Sequence, residues 1–153
     1  MRSRYVEPPP ILSFTGKYRF LSNFYSYPFV AYDYVLRREI KVESVEHGYQ
    51  SRKTTDPFER LNILQADTPA LAKKLGARCK LRPEWETIKL PTMRSLLWTK
   101  FNDTLLTKRL VDTWPAHLEE GNWWGDVFWG TCHGEGENQL GRILMDIRSK
   151  LMG

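Results

Sequence analysis

A carboxylate, a carboxamide and an ammonium group occur at helical spacing in residues 44–53, which read SVEHGYQSRK. Ser44 is a typical N-cap residue, because its hydroxyl accepts a hydrogen bond from a backbone N–H that the first turn leaves unpaired. Glu46, Gln50 and Lys53 lie at i, i+4 and i+7 and therefore share one side of the predicted helix, with Tyr49 beside them. The helix dipole favours an ionised group in the first turn, so we expect Glu46 to be a carboxylate.

The same spacing also occurs on ordinary solvated helices, where Glu, Gln and Lys form surface pairs. Spacing alone favours this alternative, in which residues 44–53 form a polar surface without chemistry. A similar choice applies to Asn23 in the aromatic segment FLSNFY. Asn and Ser in such a segment usually turn or cap the backbone, although Asn23 can instead present its amide to a ligand from a loop.

Further carboxylates lie among aromatic residues in the glycine-punctuated region 116–139. The candidates are Glu120 and Asp126, with Trp124, Trp129 and Asn138 near them in sequence. Paired carboxylates suit hydrolysis at an anomeric carbon, where one stabilises or attacks the developing oxocarbenium ion while another group handles the proton. Aromatic rings can sandwich a heterocyclic base.

Lys53 adds a second route to the same bond. A lysine that is partly desolvated in an aromatic pocket is more readily neutral and therefore nucleophilic, so it can form an imine with a ring-opened sugar aldehyde. The alternative is that Lys53 stays charged and binds a phosphate group. The sequence leaves both roles open.

Other familiar sites fit the sequence poorly. The segment GEGEN at 134–138 precedes a helix, but it lacks the dinucleotide fingerprint and its glutamates would repel an anion, so a plain turn is favoured. Cys132 and His133 are adjacent and do not have metal-ligand spacing. We expect neither a metal nor an organic cofactor. A cysteine nucleophile paired with His47 or His133 stays open without support.

The composition is that of an ordinary soluble protein, with 153 residues, 41% hydrophobic and 27% charged. The net charge of +5 is spread along the chain, which supports weak attraction to anionic ligands without establishing a nucleic-acid site. No apolar stretch approaches the length of a membrane span, and residues 1–10 lack a signal-peptide core. Two cysteines without framework spacing suit a reducing compartment, so we expect a cytoplasmic protein.

These patterns predict a flexible arm over residues 1–10 and one domain over residues 11–153. The domain is expected to be α+β and mostly helical, with a small antiparallel sheet. Predicted strands cover residues 11–14, 29–34, 36–42 and 126–129. Three short helices are predicted to begin after the caps Ser44, Asp56 and Thr68, and the third is expected to stop at Gly76. Two further helices are predicted over residues 92–113 and 138–152. Their expected apolar faces include Phe58, Leu61, Leu64, Leu71, Leu75, Leu97, Phe101 and Leu105.

Several of these segments occur together in a known order. They are FLSNFY at 20–25, SVEHGYQ at 44–50 with Lys53, AKKLG at 72–76, KF at 100–101, GDVFWG at 125–130 and GENQLGRILMDIR at 136–148. Across residues 14–152 the chain thereby resembles the NADAR family, also called the YbiA-like family. The SVEHGYQ and GDVFWG segments are the most specific part of this resemblance.

The resemblance implies a YbiA-like α+β fold and cleavage of an N-glycosidic bond to ribose. Substrates known in the family are phosphoribosylamino-pyrimidine intermediates of riboflavin biosynthesis. Another branch is associated with removing ADP-ribose from guanine bases in nucleic acid, which reverses ADP-ribosylation. We therefore expect an N-glycoside hydrolase that acts on a phosphorylated ribosyl or an ADP-ribosyl substrate, with ADP-ribosylated nucleic acid among the candidate partners.

Carried over residue by residue, the resemblance makes Glu46, Lys53 and Asp126 the expected catalytic residues. The residues expected to bind the substrate are Asn23, Tyr49, Gln50, Glu120, Trp124, Trp129 and Asn138. We expect the three catalytic side chains to point into one ring-lined cavity sized for a ribose. The chain departs from the family at Thr113-Trp114-Pro115, where Thr-Gly is common, and this bears on substrate identity more than on chemistry.

Two functions of other classes remain as alternatives. A non-catalytic module for ADP-ribose or NAD-like ligands would bind such ligands without releasing a product. A basic nucleic-acid-binding protein would show a steep salt dependence of its affinity for unmodified DNA or RNA.

Overall fold

The computed structural model describes residues 6–153. Residues 1–5 of the predicted arm lie outside the described residues, and residues 6–10 are exposed and have no regular secondary structure. The described residues form two compact units, one from Asn23–Asp103 and one from residues 6–22 together with Thr104–Gly153. The expected division into an arm over 1–10 and a domain over 11–153 stays a prediction.

The unit Asn23–Asp103 contains a hairpin and four helices. The strands are β1 (Phe29–Asp33) and β2 (Arg38–Val42), and the helices are α1 (Val45–Ser51), α2 (Pro57–Leu64), α3 (Pro69–Gly76) and α4 (Trp85–Lys100). The strands pair antiparallel, with Phe29 opposite Val42 and Asp33 opposite Arg38, which confirms the predicted hairpin. Helix α1 packs against α2, α3 and α4, so it lies at the centre of this unit.

The predicted caps are confirmed at three helices. Ser44 Oγ accepts a hydrogen bond from the His47 N–H, and Thr68 accepts one from the Leu71 N–H. The Asp56 carboxylate accepts from two N–H groups of the first turn of α2. In α2 and α3 a proline follows the cap, where its missing N–H costs no helical bond.

The faces that α2 and α3 bury differ from the prediction in part: Leu64 is buried and Leu75 packs against the core, as expected, but two other residues are exposed. Phe58 is 84% exposed, and Leu71 is exposed as well. The buried cluster is instead formed by Ile63, Ala66 and Ala72. Gly76 is also not the expected stop after α3 but its last helical residue. Small residues are needed on this face because α3 lies close to α1, as the environment of Gly76 described below shows.

The predicted long helix over 92–113 is wrong, because two helices occupy its region. Helix α4 begins at Trp85, includes Pro91 in its interior and ends at Lys100, and α5 covers Thr104–Val111. A helix predicted to begin at residue 92 leaves Pro91 outside, whereas the structure includes this proline in α4 although it lacks a backbone donor. The break at residues 101–103 also shifts the helical register, so that Leu105 is exposed whereas Phe101 and Leu106 are buried.

The second unit contains a 3₁₀ helix at Gly16–Leu21, the helices α5 and α6 (Gln139–Leu151), and two short strands. The strands β3 (Gly121–Asn122) and β4 (Thr131–Cys132) pair in parallel. The predicted strand at 11–14 is only an isolated bridge between Ile11 and Leu118. The predicted strand at 126–129 is a turn, for a reason given below.

Helices make up most of the regular structure in residues 6–153, and the longer strands form one small antiparallel sheet. This confirms the predicted α+β class. Within the same residues, no helix has the length and apolar character that crossing a membrane requires.

Candidate active site

Glu46 and Gln50 lie one turn apart on α1 and contact each other. Gln50 Nε2 donates a hydrogen bond of 2.8 Å to Glu46 Oε1. Glu46 is only 7% exposed and Gln50 only 4%, and every residue of α1 is buried. The alternative of a solvated surface helix is therefore wrong. A carboxylate removed from water in this way interacts more strongly with nearby charge than a surface carboxylate does.

Asn23 supports the start of α1 through its backbone. Its carbonyl oxygen accepts a 3.0 Å hydrogen bond from the Glu46 N–H, one of the donors that the first turn leaves unpaired. Its side chain is 9% exposed and donates from Nδ2 to Met93 Sδ at 3.5 Å. Asn23 Oδ1 is buried and has no hydrogen-bond partner among the described residues. Asn23 thus has the expected backbone role, and its Oδ1 is an acceptor that could serve the predicted role towards a ligand.

Lys53 follows the end of α1 and lies against aromatic side chains. Its Nζ is 5.7 Å from the centroid of the Tyr49 ring, and that ring is 5.1 Å from the ring of Trp85. Burial lowers the pKa of Lys53, although the Glu46 carboxylate opposes the shift. The four candidates Glu46, Tyr49, Gln50 and Lys53 therefore occupy one region, as their spacing predicted.

Gly76 is a site residue that sequence reasoning assigned to another role. A Cβ built on Gly76 would overlap Oε1 of Gln50 and crowd the rest of that side chain. The hydrogen on its Cα instead lies against the carboxamide, which is the arrangement of a weak C–H···O contact. Gly76 thereby lets α3 approach α1 and holds the carboxamide that bonds to Glu46. The available signal was its place in the AKKLG segment.

His47 has a structural role instead of the nucleophile-activating one left open above. Its Nε2 lies 2.8 Å from the Ala66 carbonyl, which can only accept, so Nε2 donates. Its Nδ1 then accepts from Ser44 Oγ at 2.7 Å. Both ring nitrogens are occupied, and the imidazole connects α1 to the segment after α2. The cysteines Cys79 and Cys132 are free thiols.

The remaining candidates belong to the other unit, where Asn138 is central. Its Oδ1 accepts from the Glu120 N–H at 3.0 Å, and its Nδ2 donates to the Leu118 carbonyl at 2.9 Å. Asn138 has φ of 51° and caps α6 without a side-chain bond to it. Its buried carboxamide thus orders the segment 118–120, which contains Glu120 and leads into β3. This explains why the side chain is buried, and its predicted role towards substrate stays a prediction.

Asp126 forms a turn in the GDVFWG segment. Its Oδ1 accepts from the N–H groups of Phe128 at 3.1 Å and Trp129 at 3.0 Å. Its own backbone N–H and C=O are bonded to the side chain of Asn122. A side chain that binds the following backbone N–H groups bends the chain, so the segment forms a turn and the predicted strand over 126–129 is wrong.

The aromatic candidates of this unit differ in exposure. Trp129 is half-buried and lies edge-to-face with Phe128, with ring centroids 4.9 Å apart. Its carbonyl accepts from the Leu140 N–H, which joins the turn to the start of α6. Trp124 is exposed and lies edge-to-face with Trp123, which is 83% exposed. These two rings are accessible to a planar ligand.

Lys100 is a buried charged residue to which sequence reasoning gave no role. It lies in the last turn of α4 with Nζ 4.9 Å from the Phe101 ring centroid and 5.7 Å from that of Tyr25. Burial lowers its pKa to about 7.

No group of three or more His, Cys, Asp or Glu side chains suited to a metal occurs among residues 6–153.

A model of the NADAR domain matches residues 13–152, which is nearly the whole chain. This chain belongs to the NADAR family. It is 38% identical to N-glycosidase YbiA of Escherichia coli (strain K12) over 110 residues, which cover 69% of this chain and 68% of that protein. A riboflavin biosynthesis protein of Vibrio vulnificus (strain YJ016) is 36% identical over 71% of this chain, a segment that makes up 30% of the longer relative.

A solved structure supports the same assignment at the level of the fold. The NMR structure of the Escherichia coli protein YbiA superimposes with a TM-score of 0.81 at 31% identity. The superposition covers 99% of this chain and 90% of that one. The NADAR family and its α+β fold, both expected from the sequence, are confirmed.

Proposed function

We propose that this NADAR protein is an N-glycosidase that hydrolyses the C1′–N bond of a phosphorylated ribosylamine. Relatives named N-glycosidase support the reaction class. The riboflavin biosynthesis protein among the relatives supports an intermediate of riboflavin synthesis as the substrate, and the family resemblance then implies an aminopyrimidine as the leaving group. The proposed enzyme is a hydrolase acting on N-glycosyl compounds.

One observation carries the proposal for the site. The buried Glu46 carboxylate accepts a 2.8 Å hydrogen bond from Gln50 and lies close enough to Lys53 to affect the pKa of its amine. A carboxylate held in place before the reaction can stabilise positive charge as it develops, with little reorganisation. The anomeric carbon of a departing ribosylamine develops such a charge.

The hydrolysis gives Glu46 a role and also requires a second acidic group. The C1′–N bond breaks with its electron pair going to nitrogen, and a water oxygen forms the new bond to C1′. One proton of that water ends on the leaving nitrogen. Glu46 would stabilise the oxocarbenium-like transition state and accept the proton of water. Asp126 stays the predicted second acid.

The amine of Lys53 supports a covalent variant of the same reaction. Its lowered pKa increases the neutral fraction at a given pH, and only the neutral amine is nucleophilic. Attack on C1′ of the ring-opened sugar would form a Lys53 imine and release the base as an amine. Addition of water to the imine would then regenerate Lys53 and release the sugar aldehyde. Borohydride, which reduces imines, would leave a stable Lys53 adduct during turnover.

The test is a product assay on a small substrate panel. Purified protein is incubated with a phosphoribosylamino-pyrimidine, with NAD and with ADP-ribosylated guanine in DNA, and the products are identified by mass spectrometry. We expect release of the free base from the first substrate. Release only from the ADP-ribosyl substrate would assign the chain to the other reaction expected from the sequence. Ligand binding without product from any of the three would refute hydrolysis.

The carboxylate is tested by a matched pair of variants. Glu46→Gln should lower the rate about a hundredfold to several-thousandfold, because it removes a charge that stabilises the transition state. Glu43→Gln is the control, since Glu43 is partly exposed and pairs with Lys41 at 3.4 Å. A folded Glu46→Gln protein with the wild-type rate would remove Glu46 from the mechanism.

A further inference from the structure

Three elements each bring a lysine towards the Glu46 side of α1. Lys53 follows α1 directly, and its carbonyl oxygen is fixed by a 2.8 Å hydrogen bond from the Arg82 N–H. On α3, Lys73 lies three residues before Gly76, so both share the face that meets Gln50. On α4, Lys89 lies four residues after Trp85, whose ring packs on Tyr49.

The positive charges of these lysines act on one another. Burial is the main cause of the lowered pKa of Lys53, and the Glu46 carboxylate opposes it. The charges of Lys73 and Lys89 lower this pKa further. Burial also raises the pKa of the neighbouring Cys79 thiol, which keeps it neutral. The three lysine amines therefore outnumber the Glu46 and Glu86 carboxylates of this region, and a bound anion would offset the excess positive charge.

The side chains of Lys73 and Lys89 are placed to meet such an anion. Lys73 is exposed, with Nζ 6.0 Å from the centroid of the Phe24 ring. Lys89 is half-buried and pairs with Glu86 at 2.7 Å, but Glu86 is largely exposed. Because the Glu86 carboxylate lies largely in solvent, where ion pairs contribute little free energy, a phosphate dianion can compete with it for Lys89. Lys53 Nζ lies 5.7 Å from the centroid of the Tyr49 ring, which packs on Trp85.

We propose that Lys73 and Lys89 bind the phosphate group of the ribosyl substrate and leave the Lys53 amine for reaction at C1′. The proposal rests on the proposed function and names its substrate class, a ribosyl compound that carries a phosphate. It also divides two roles that the sequence left open for Lys53 alone. The phosphate neutralises the cluster, and its binding positions the ribose beside Glu46.

The experiment measures binding of a product-like probe, so that it does not depend on turnover. Calorimetry at low ionic strength compares ribose 5-phosphate with ribose for the wild type, Lys73→Gln and Lys89→Gln. Each variant should weaken binding of ribose 5-phosphate about tenfold to a hundredfold, because it removes one charged hydrogen-bond donor. Lys74→Gln is the matched control, since this exposed lysine adjoins Lys73 on α3 and points away from its face.

The outcomes separate this proposal from the proposed function. Binding that prefers ribose 5-phosphate, weakens in both variants and stays within twofold in Lys74→Gln supports the phosphate site, whether or not any substrate is hydrolysed. Equal losses of affinity for ribose 5-phosphate in all three variants would show unspecific attraction and overturn the proposal. Equal affinity of the wild type for ribose and for ribose 5-phosphate would overturn it as well. With an active wild type, the KM of the phosphorylated substrate should rise in both variants while that of its dephosphorylated form stays unchanged.

Discussion

The carboxamide of Gln50 occupies the space that a side chain on Gly76 would need. The same carboxamide donates the 2.8 Å hydrogen bond to Glu46. The last residue of α3 therefore fixes the carboxylate proposed for catalysis without touching it. A glycine in a helix usually lowers stability relative to alanine, and here the space it leaves has a use in the site.

Gly76→Ala should lower activity more than the small change in side chain suggests. The new methyl group displaces Gln50, and a displaced catalytic group costs about tenfold to a hundredfold in kcat. Overpacking should lower the free energy of unfolding by about 1–3 kcal/mol, and the higher helix propensity of alanine partly offsets this loss. The protein should therefore stay folded. Steady-state kinetics and thermal unfolding measure the two effects.

The same substitution in a Gln50→Ala background is its control. With the carboxamide gone, the added methyl group no longer displaces it, so the second change should cost less than in the wild type. Additive losses in this double-mutant cycle would show that Gly76 does not act through Gln50.

Two substitutions at Asp126 should separate its turn from its predicted chemistry. Asp126→Asn keeps an oxygen acceptor for the N–H groups of Phe128 and Trp129, so the free energy of unfolding should change little. Asp126→Ala removes the acceptor and should cost about 1 kcal/mol or more. Both should abolish most of the activity if the charge is required. Wild-type turnover by Asp126→Asn would reduce Asp126 to a turn residue.

Removing Arg60 should destabilise the protein strongly. Arg60 Nη1 lies 3.0 Å from each carboxylate oxygen of Asp33, and both residues are buried. Arg60→Met would leave a buried carboxylate whose remaining cation is Arg52, with Nε 3.9 Å away. Loss of one partner of a buried pair costs about 3–5 kcal/mol, which urea unfolding at neutral pH can measure. The exposed Arg78→Met variant is the control and should change stability far less.

The Asp33 pair also predicts an acid dependence. Burial alone would raise the pKa of Asp33, but the Leu36 N–H and Arg60 outweigh it and lower the pKa below 3.8. A carboxyl with a lowered folded pKa contributes stability above its unfolded pKa and loses it as the pH falls through the folded one. The wild type should lose stability below about pH 4 more steeply than Arg60→Met does. Parallel acid profiles would contradict the assignment.

Replacing Lys100 should stabilise the protein at neutral and acidic pH. Its folded pKa of about 7 lies below the ordinary 10.5, because burial disfavours the charged amine. Below pH 7 both states hold the proton and the burial penalty is complete. Between pH 7 and 10.5 only the unfolded state holds the proton of Lys100, so the stability of the wild type rises with pH.

The advantage of Lys100→Met over the wild type should therefore shrink between pH 7 and 10.5, by at most about 1.4 kcal/mol per pH unit. Urea unfolding across this range measures it. The exposed Lys108→Met variant controls for the loss of one positive charge. A difference between Lys100→Met and the wild type that does not vary with pH would contradict the buried-amine interpretation.

Local signals in the sequence predicted the start of three helices and the grouping of four site residues. Ser44, Asp56 and Thr68 cap as expected, because a cap requires only a side-chain oxygen two or three residues before its donors. Glu46, Tyr49, Gln50 and Lys53 come together because helical geometry fixes which side chains are neighbours. The family resemblance likewise indicated the fold and the reaction class from ordered segments alone.

The tertiary structure decided what surrounds those residues. Spacing could not show that α1 is buried, since a polar helix face looks the same until other helices cover it. Neither could it show that Gly76 accommodates Gln50, or that Lys73 and Lys89 of two other helices approach Lys53. The sequence by itself determined which chemical groups are present and how they are ordered within one helix. Contacts between helices depend on packing over long separations in the chain, and only the folded protein specifies them.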